Sequence, residues 1–378
     1  MSRLRRAEIV GAGFAGLAAA CALAQRGWTV RVHERAERLR TTGAGIYIYE
    51  NGLRVLEVLG AYEEAVAGAP IAHTREVRDD QNRLVSVHRW EQSSRVFSVV
   101  RQQVINAMAA AAARHGAQIV TGSEGVAATP AGELLLTNGE RVEADLIVAA
   151  DGASSKLRDS LNLLSNRKLL ADGAIRVLID MTADERNSGD AGKTIEYWSG
   201  SRRILYTPCS QEKIYVALTM LDRDDAAKAV PLRQAEWERW FPHLSNLIDR
   251  IGDDGRYDRF ELIKLKRWSS GRVAVIGDAA HALPPNIGQG AGCSMMNALS
   301  LAVFVDRVAD MPPALDAWER QERPVTEHTQ RMSWLLGLPT TWPPLLRAMF
   351  FSLAGRSKWI VKQRTLTARH RPTGTERV

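Results

Sequence analysis

Residues 8–37 read EIVGAGFAGLAAACALAQRGWTVRVHERAE, and this stretch decides the fold class. An apolar segment enters the motif Gly11-x-Gly13-x-x-Gly16, an alanine-rich helix follows, and a second apolar segment ends at Glu34. The first glycine permits a tight turn, the second lets the backbone approach a pyrophosphate, and the third lets helix and sheet pack closely. An acid about 20 residues further on binds the ribose hydroxyls. The stretch predicts a dinucleotide-binding βαβ unit, and the acid favours FAD or NAD over NADP.

A secretion signal is the competing interpretation, because basic residues precede this apolar run. Three glycines in the run, Glu8 before it and the lack of a clear cleavage site argue against a signal. No apolar run in the sequence reaches the roughly 20 residues that a membrane span requires. Three widely spaced cysteines, Cys21, Cys209 and Cys293, indicate reduced thiols and no metal site. We therefore expect a cytoplasmic protein without a membrane or metal partner.

The composition is that of a globular protein. The 378 residues are 45% hydrophobic and 25% charged, which suffices for two domains or one large α/β body. The formal net charge of +7 raises the question of a nucleic-acid partner. The basic residues are spread along the chain, however, and no nucleic-acid-binding motif is visible. We expect a basic surface that favours anionic cofactors and substrates, and no nucleic-acid partner.

Two later segments each place an aspartate directly after a buried strand. The apolar run Leu146–Ala150 ends in Asp151-Gly152, and Val273–Ile276 ends in Gly277-Asp278. Taken alone, either aspartate could be a turn residue or a helix cap. Together with the glycine turn, they give three polar sites at the carboxyl ends of strands. Open α/β sheets bind their ligands at that edge.

These three motifs, in this order, resemble the flavin-dependent aromatic hydroxylases of the p-hydroxybenzoate hydroxylase type, over about residues 6–336. The stretches GAGIYIYENGLRVLEVLGA, RRILYTPC, IYVALTM and GQGAGCSMMNALSLA are similar to the branch that oxygenates 3-hydroxypyridine carboxylates. The resemblance implies bound FAD, NAD(P)H as a transient reductant with NADH favoured, and oxygen insertion through a flavin C4a-hydroperoxide. A cofactor carries this step because side chains do not activate oxygen.

The resemblance also implies a set of residues that contact FAD. They are Gly11, Gly13, Ala15, Gly16, Glu34, Arg35, Arg40, Gly45, Arg101, Asp151, Gly277, Asp278, Gly288, Gly290, Ala291, Gly292 and Asn297. Asp278 would contact the ribityl chain and Arg101 the flavin side. The amides that open the helix near Gly290 would favour negative charge on the flavin. We expect His281 to pack or hydrogen-bond near the flavin, and not to act as a general base.

On the substrate side, the resemblance implies one catalytic set and one binding set. The catalytic candidates are Arg203, Tyr215 and Pro285, and the substrate-binding candidates are Arg75, Tyr47 and Tyr49. Arg203 could pair with a carboxylate, unless it is a solvated strand residue. A four-residue loop at 210–213 would put Arg203 and Tyr215 on opposite faces of a hairpin, and a slip of one residue would bring them together. Arg75 stands where the branch has a tyrosine, and it either adds a second cation or points outward.

We therefore predict an α/β fold in three parts. A Rossmann-like FAD-binding domain takes residues 1–72, 98–172 and 266–340, and an interleaved antiparallel-sheet substrate domain takes 73–97 and 173–265. Residues 341–378 form a C-terminal helical tail, for which a docked helix is favoured over a membrane-surface helix.

The predicted function is that of a single-component flavin monooxygenase. It would oxygenate a hydroxylated aromatic or heteroaromatic carboxylate, a 3-hydroxypyridine carboxylate in particular, with ring opening as one outcome. The alternatives are a hydroxylase of a benzenoid phenol or hydroxybenzoate, and a non-oxygenating flavin oxidoreductase of the same fold. The expected partners are this substrate and O2, and the expected assembly is a monomer or homodimer.

Overall fold

The computed structural model describes residues 4–39, 44–90, 95–253, 255–306 and 308–376. The strands are β1 Arg6–Val10, β2 Thr29–Glu34, β3 Gly45–Tyr49, β4 Thr74–Asp79, β5 Leu84–Arg89, β6 Val96–Val100, β7 Gln118–Thr121, β8 Gly125–Ala128, β9 Glu133–Leu136, β10 Arg141–Glu143, β11 Leu146–Ala149, β12 Leu164–Asp180, β13 Lys193–Ser199, β14 Arg202–Pro208, β15 Lys213–Leu221, β16 Tyr257–Leu265, β17 Ser269–Ser270 and β18 Val273–Val275. The helices are α1 Phe14–Ala24, α2 Glu50–Leu59, α3 Tyr62–Val66, α4 Arg101–Arg114, α5 Lys156–Ser160, α6 Ala183–Asn187, α7 Gln234–Glu238, α8 Ser245–Asp249, α9 Asp278–His281, α10 Gly290–Phe304, α11 Met311–Leu335, α12 Pro344–Arg356 and α13 Lys358–Thr365. Short 3-10 turns occupy Pro242–Leu244, Pro285–Ile287 and Leu338–Thr341.

A six-stranded sheet in the order β17-β18-β11-β1-β2-β7 carries the three sequence motifs. All neighbours pair in parallel except the edge strand β17. Residues Ala7–Val10 pair with Leu146–Ala149, and Ile147–Ala149 pair with Val273–Val275. Because parallel strands end at one edge, β1, β11 and β18 deliver their following loops side by side. The α/β fold predicted from the motifs is confirmed.

Helix α1 packs against this sheet along its whole length. All its residues from Phe14 to Ala24 are buried, and most of them are alanines. Small side chains let a helix lie close to a sheet while other helices cover its remaining sides. Helices α4 and α10 pack against α1 in this way. This close packing fixes the position at which α1 begins, and therefore also the position of the glycine turn that precedes it.

A seven-stranded sheet in the order β16-β12-β15-β14-β13-β4-β5 forms the other side of the molecule. It is antiparallel except for the parallel pair β13–β4. Strand β12 is 17 residues long and enters this sheet at Leu164, before the predicted boundary at 173. Its pairing with β16 shifts register between Leu169 and Gly173, where a bulge bends the strand. Strand β6, which holds Val96 and Phe97, pairs with β3 outside this sheet.

The β14–β15 hairpin settles the orientation of two predicted residues. Cys209 donates its backbone N–H to the Lys213 carbonyl, so only 210–212 form the turn. The turn is thus one residue shorter than the predicted loop at 210–213. Arg203 pairs with Thr219 and Tyr215 with Thr207, and cross-strand partners share a face. Of the two alternatives that the sequence left open, the structure therefore has the second, with Arg203 and Tyr215 on the same face.

The C-terminal tail, for which the sequence predicts helices, forms α12 and α13. Ser357 separates them, and its hydroxyl caps α13 by accepting the Ile360 N–H. Phe351 packs on Trp198 with ring centroids 5.4 Å apart, which docks α12 on the seven-stranded sheet. The opposite side of α12 stays uncovered, since Leu353 is 64% exposed. Across the described ranges, no helix combines the length and the apolar character needed to span a bilayer.

A buried charge cluster ties β1 to β2. The Glu8 carboxylate is fully buried and accepts hydrogen bonds from Arg6 Nε at 2.6 Å and Arg31 Nε at 3.0 Å, with His33 Nε2 at 2.7 Å. Burial alone would raise the pKa of Glu8, but these hydrogen bonds outweigh it and hold the pKa below its usual value. The carboxylate is therefore charged in the folded protein at neutral pH.

We predict that Glu8→Gln lowers the free energy of unfolding by about 3 kcal/mol at pH 7, because a neutral amide replaces the buried carboxylate that binds Arg6, Arg31 and His33. The carboxylate contributes stability above its unfolded pKa, and this contribution is lost as the pH falls through the lower folded pKa. The wild-type protein should therefore lose more stability in acid than the variant. Urea unfolding at pH 7 and below pH 4 measures both effects. The control Glu133→Gln, in a surface ion pair with Arg141, should cost under about 1 kcal/mol; equal losses would contradict the prediction.

Candidate functional site

The three glycines of the first motif have different surroundings. Gly11 has a φ of +101°, and a Cβ atom there would lie 2.3 Å from the Ala150 carbonyl oxygen. A Cβ on Gly16 would lie 1.8 Å from the Gly11 carbonyl oxygen. A Cβ on Gly13 would meet nothing within 4 Å. Packing therefore requires the outer two glycines, while the middle one borders open space at the start of α1.

The acid of the first motif is held beside that open space. Glu34 ends β2, and its carboxylate accepts the Ala12 N–H at 2.9 Å and the Ala36 N–H at 3.0 Å. These two bonds fix the carboxylate next to the glycine turn, where a ribose would lie if a pyrophosphate crossed Gly13. Arg35 is exposed directly after it. The predicted contact Arg40 lies outside the described residues.

Asp151 and Asp278 follow β11 and β18 at the same edge. Asp151 accepts the Lys156 N–H at 2.9 Å, which is the helix-cap role, but its second oxygen is buried without a partner among the described residues. Burial raises its pKa. The Asp278 side chain is exposed to solvent, but protein surrounds it as at the bottom of a cleft. This enclosure raises the pKa of Asp278, although the nearby Arg101 charge acts to lower it. Gly277 has a φ of +63°, and a Cβ there would lie 2.7 Å from Ala15 Cβ.

The wall facing these carboxylates comes from α4 and β3. Arg101 begins α4, its guanidinium lies 5.2 Å from the Phe14 ring centroid, and its Nε is buried without a partner in the described chain. Burial lowers its pKa. A Cβ on Gly45 would lie 2.5 Å from Tyr215 Cβ, so a glycine there lets β3 approach the substrate-side sheet. This contact closes the cleft on the side of the seven-stranded sheet.

Helix α10 aims its first turn into the same cleft. A Cβ on Gly290 would meet nothing within 4 Å, so its backbone borders open space, and Ala291 beside it is buried. Gly288 has a φ of +64° and lies against Tyr49. Gly292 packs on the side chains of Gln289 and Asn51, and a Cβ atom on Gly292 would lie about 3 Å from both. The free amides of this turn offer hydrogen-bond donors and a positive dipole end.

The Asn297 side chain does not reach the cleft, so it lends no support to the predicted cofactor contact. The side chain is fully buried two turns into α10 and donates to His281 Nε2 at 2.9 Å and to Thr326 Oγ1 at 3.2 Å. Its backbone carbonyl accepts the Trp318 indole N–H. Burial lowers the pKa of His281 to about 4, so the ring is neutral. The hydrogen bond between Asn297 and His281 fixes α10 behind the cleft. This is a packing role of the kind expected for His281.

All six residues predicted for the substrate side line one pocket. They are Tyr47, Tyr49, Arg75, Arg203, Tyr215 and Pro285. The pocket has about 620 Å³ of free space, counting the part open to solvent. Trp90 and Phe260 add aromatic walls. Gly288 and Pro285 form the end of the pocket that borders the cleft.

Glu196 is a pocket residue that sequence reasoning missed. It is 7% exposed and accepts Arg75 Nε at 3.1 Å and Arg75 Nη2 at 2.5 Å, and Arg203 Nη1 lies 3.7 Å from its other oxygen. Burial would raise its pKa, but the two arginines lower it below the usual value. Arg75 therefore points into the pocket and is already paired. The alternation of β13 could have indicated this, since Thr194, Glu196 and Trp198 share one face.

Comparison with known proteins identifies the family. The family model described as the FAD binding domain matches residues 6–333. The 2-heptyl-3-hydroxy-4(1H)-quinolone synthase of Mycobacteroides abscessus is 41% identical over 93% of this chain and 95% of its own. A crystal structure of 2-methyl-3-hydroxypyridine-5-carboxylic acid oxygenase, in a tetrameric form, is 38% identical with a TM-score of 0.88, covering 98% and 97% of the two chains. The chain belongs to the FAD-dependent aromatic monooxygenases.

A third relative supports this assignment. The FAD-dependent urate hydroxylase of Mycolicibacterium vanbaalenii is 30% identical over 83% of this chain and 84% of its own. The predicted family, the FAD cofactor and the enzyme class are thereby confirmed. The three sequence motifs therefore sufficed to predict the family and the enzyme class.

The cleft fits FAD on three features of its own. The open space at Gly13 and Gly290 gives backbone amides a path to a pyrophosphate and to a flavin edge. Arg101 Nε and Asp151 Oδ1 are buried without partners among the described residues, and a polar ligand would satisfy this donor and this acceptor. Glu34 is oriented for a ribose. In the part of the chain that the structure describes, no group of His, Cys, Asp or Glu is arranged to hold a metal ion.

We predict that Gly13→Ala and Gly16→Ala of this monooxygenase fail for different reasons. Gly13→Ala should leave the unfolding free energy of the FAD-free protein within about 0.5 kcal/mol of wild type, since its Cβ meets no protein atom. It should weaken FAD binding at least about tenfold, a loss of roughly 1.4 kcal/mol. Gly16→Ala should destabilise the FAD-free protein itself by about 3 kcal/mol through overpacking. Urea unfolding and FAD titration separate the two, and wild-type FAD affinity in Gly13→Ala would contradict the proposed path.

The buried His281 predicts a second, acid-dependent loss of stability. Its pKa of about 4 lies below the unfolded value of 6.5, so the unfolded chain binds the proton more tightly. Stability is complete above about pH 6.5 and declines as the pH falls toward 4, by up to about 3 kcal/mol. His281→Gln keeps an acceptor for Asn297 without this proton and should flatten the decline. Urea midpoints between pH 7 and 5 test this, and an equally steep decline in the variant would refute it.

Proposed function

We propose that this monooxygenase hydroxylates a carbon next to a ring-bound oxygen in a nitrogen heteroaromatic compound of the 4(1H)-quinolone class. The observation that carries the proposal is the buried Glu196, which already occupies the fork of Arg75 and partly neutralises Arg203. A substrate carboxylate would have to compete with Glu196 for both guanidinium groups. A single ring oxygen needs only one donor. The relative named 2-heptyl-3-hydroxy-4(1H)-quinolone synthase supports this class.

Arg203 supplies that donor. Its Nε is buried without a partner among the described residues, while its other nitrogens face Thr219 and Glu196 at 3.4 and 3.7 Å. The guanidinium also lies 5.1 Å from the Trp198 ring centroid, which holds it in place. A cation hydrogen-bonded to a ring oxygen stabilises negative charge there. That charge makes the neighbouring ring carbon a better nucleophile.

The aromatic walls orient the ring. Tyr49 and Trp90 meet edge to face with centroids 5.5 Å apart, and Tyr215 and Phe260 line the same pocket. Flat, rigid walls select a planar ring and fix which carbon faces the cleft. Pro285 lies at the cleft end, offers no N–H to the pocket, and limits the entry of water.

Bound FAD supplies the activation of O2 and its transfer to the ring, after reduction by NAD(P)H, with NADH as the proposed donor. We propose that the predicted FAD contacts, other than Asn297, hold it through the cleft. Gly13 and Glu34 would take the pyrophosphate and ribose, Asp278 and Arg101 the chain and flavin side, and the Gly290 amides the flavin's negative edge. The three cysteines are free and buried, which accords with a cytoplasmic location.

A 3-hydroxypyridine carboxylate, with hydroxylation or ring opening, is the second candidate. It is favoured by the arginines that line the pocket. Arg75, Arg176 and Arg203 share the described lining with one acidic residue, Glu196, and the Arg176 pair with Asp258 is long at 3.4 Å. The 38%-identical 2-methyl-3-hydroxypyridine-5-carboxylic acid oxygenase supports it. A carboxylate would then replace Glu196 as the partner of Arg203.

The test follows NADH and NADPH oxidation and oxygen uptake by the FAD-loaded enzyme. We expect stimulation by 4(1H)-quinolones, a product heavier by one oxygen atom, and little stimulation by pyridine carboxylates or hydroxybenzoates. The reverse preference would favour the second candidate. If the enzyme binds FAD but no ring compound stimulates NADH or NADPH oxidation, the proposed substrate class is contradicted.

Arg203→Gln gives the matching variant test. We predict that kcat/KM for the ring substrate falls about 100-fold, because the charged donor to the ring oxygen is lost. FAD content should not change, since Arg203 lies on the substrate-side sheet. The control Arg167→Gln removes a surface pair with Glu261 and should leave kcat/KM within about twofold. An unchanged kcat/KM in Arg203→Gln would refute the assigned role.

A further inference from the structure

A second cavity adjoins the substrate pocket. Arg75, Glu196, Arg203 and Asn286 line both spaces, so these four residues form the junction between them. The second cavity, here called the tail chamber, encloses about 710 Å³ of free space, including its open part. Unlike the substrate pocket, it has neither Gly288 nor Pro285 among its described lining residues. It therefore extends the site away from the cofactor cleft.

The walls of the tail chamber beyond the junction are mainly apolar. The C-terminal helices contribute Phe351, Ala354 and Ile360, and the sheet edge contributes Val77 and Val87. Mainly apolar walls offer few of the two to four polar partners that an ordered water needs, and they favour an apolar group. The polar pocket and the apolar chamber thus match a ligand with a polar ring and an apolar substituent.

The charges of the chamber lie at its junction end. Arg364 interacts electrostatically with Arg75, Tyr49 and Glu196, and its Nη2 is buried without a partner among the described residues. Burial and the Arg75 charge lower its pKa to about 10. Arginine stems are apolar and can flank a hydrocarbon chain while their guanidinium groups turn aside. A chain attached to the ring can therefore pass the junction toward α12.

We propose that the tail chamber binds an unbranched alkyl substituent of the ring substrate, so that α12 and α13 measure chain length. The proposal rests on the proposed function for the identity of the ring. Each methylene buried in the chamber should tighten binding by about two- to fourfold until the chamber is full. The ring then stays at the Pro285 end while the chain fixes its rotation in the pocket.

The test uses the FAD-loaded enzyme and 4(1H)-quinolones with methyl, propyl, pentyl, heptyl or nonyl groups at position 2. Binding is followed by the change in flavin absorbance, without NADH, and turnover is measured separately. We expect Kd to fall along the series to a plateau. A Kd that does not change with chain length overturns the chamber. Chain-dependent binding without any turnover supports the chamber and removes the proposed function.

Two variants locate the effect. Ala354→Trp fills the chamber from α12 and should weaken heptyl binding at least about tenfold, while the methyl compound binds as before. The control Leu353→Trp changes the neighbouring, 64% exposed position and should alter neither. Phe351→Ala enlarges the chamber and should shift the chain length of tightest binding to longer chains. It replaces Ala354→Trp as the test if that variant does not fold. Equal loss for all chain lengths in Ala354→Trp, or no shift in Phe351→Ala, would overturn the assignment.

Discussion

Backbone contacts at glycine positions hold the three cofactor motifs together. Gly11 lies against the Ala150 carbonyl, Gly16 lies against Gly11, and Gly277 lies against Ala15. Each contact leaves no room for a Cβ atom on the glycine, so glycine at these positions lets the loops after β1, β11 and β18 approach each other closely. The parallel pairing of these strands brings the loops that follow them to the same edge of the sheet, and the glycines allow those loops to come into contact. The cleft, and the position of every group along it, depends on this fit.

The sequence motifs predicted this half of the molecule well, because their chemistry is local. A glycine spacing, an acid about 20 residues later and an aspartate after a strand each specify a turn of known geometry. The substrate side depends on long-range pairing, which no local pattern reports. A one-residue difference in the β14–β15 turn reversed the relation of Arg203 to Tyr215. The position of Asn297 on α10 likewise does not show that its side chain bonds to Thr326 and His281.

Glu196 shows how the two halves of the site differ in character. The cofactor cleft contains buried polar atoms without partners, such as Arg101 Nε and Asp151 Oδ1. The substrate pocket instead has most of its charges paired, through Glu196 with Arg75 and Arg203. A cleft with unmet donors and acceptors suits a polar dinucleotide, and a pocket with internal pairs suits a ligand of low charge. The two ligands are therefore distinguished by polarity as well as by shape.

The pairing inside the pocket has a consequence for how substrates arrive. The chain carries a formal net charge of +7, which draws anions toward its surface over a distance that salt shortens to about 8 Å at physiological ionic strength. The buried Glu196 cancels part of this field at the site itself. Long-range attraction therefore contributes little to the capture of an uncharged ring, and its association rate should be nearly independent of ionic strength. For the proposed uncharged ring, desolvation rather than electrostatic steering would govern entry into this enzyme.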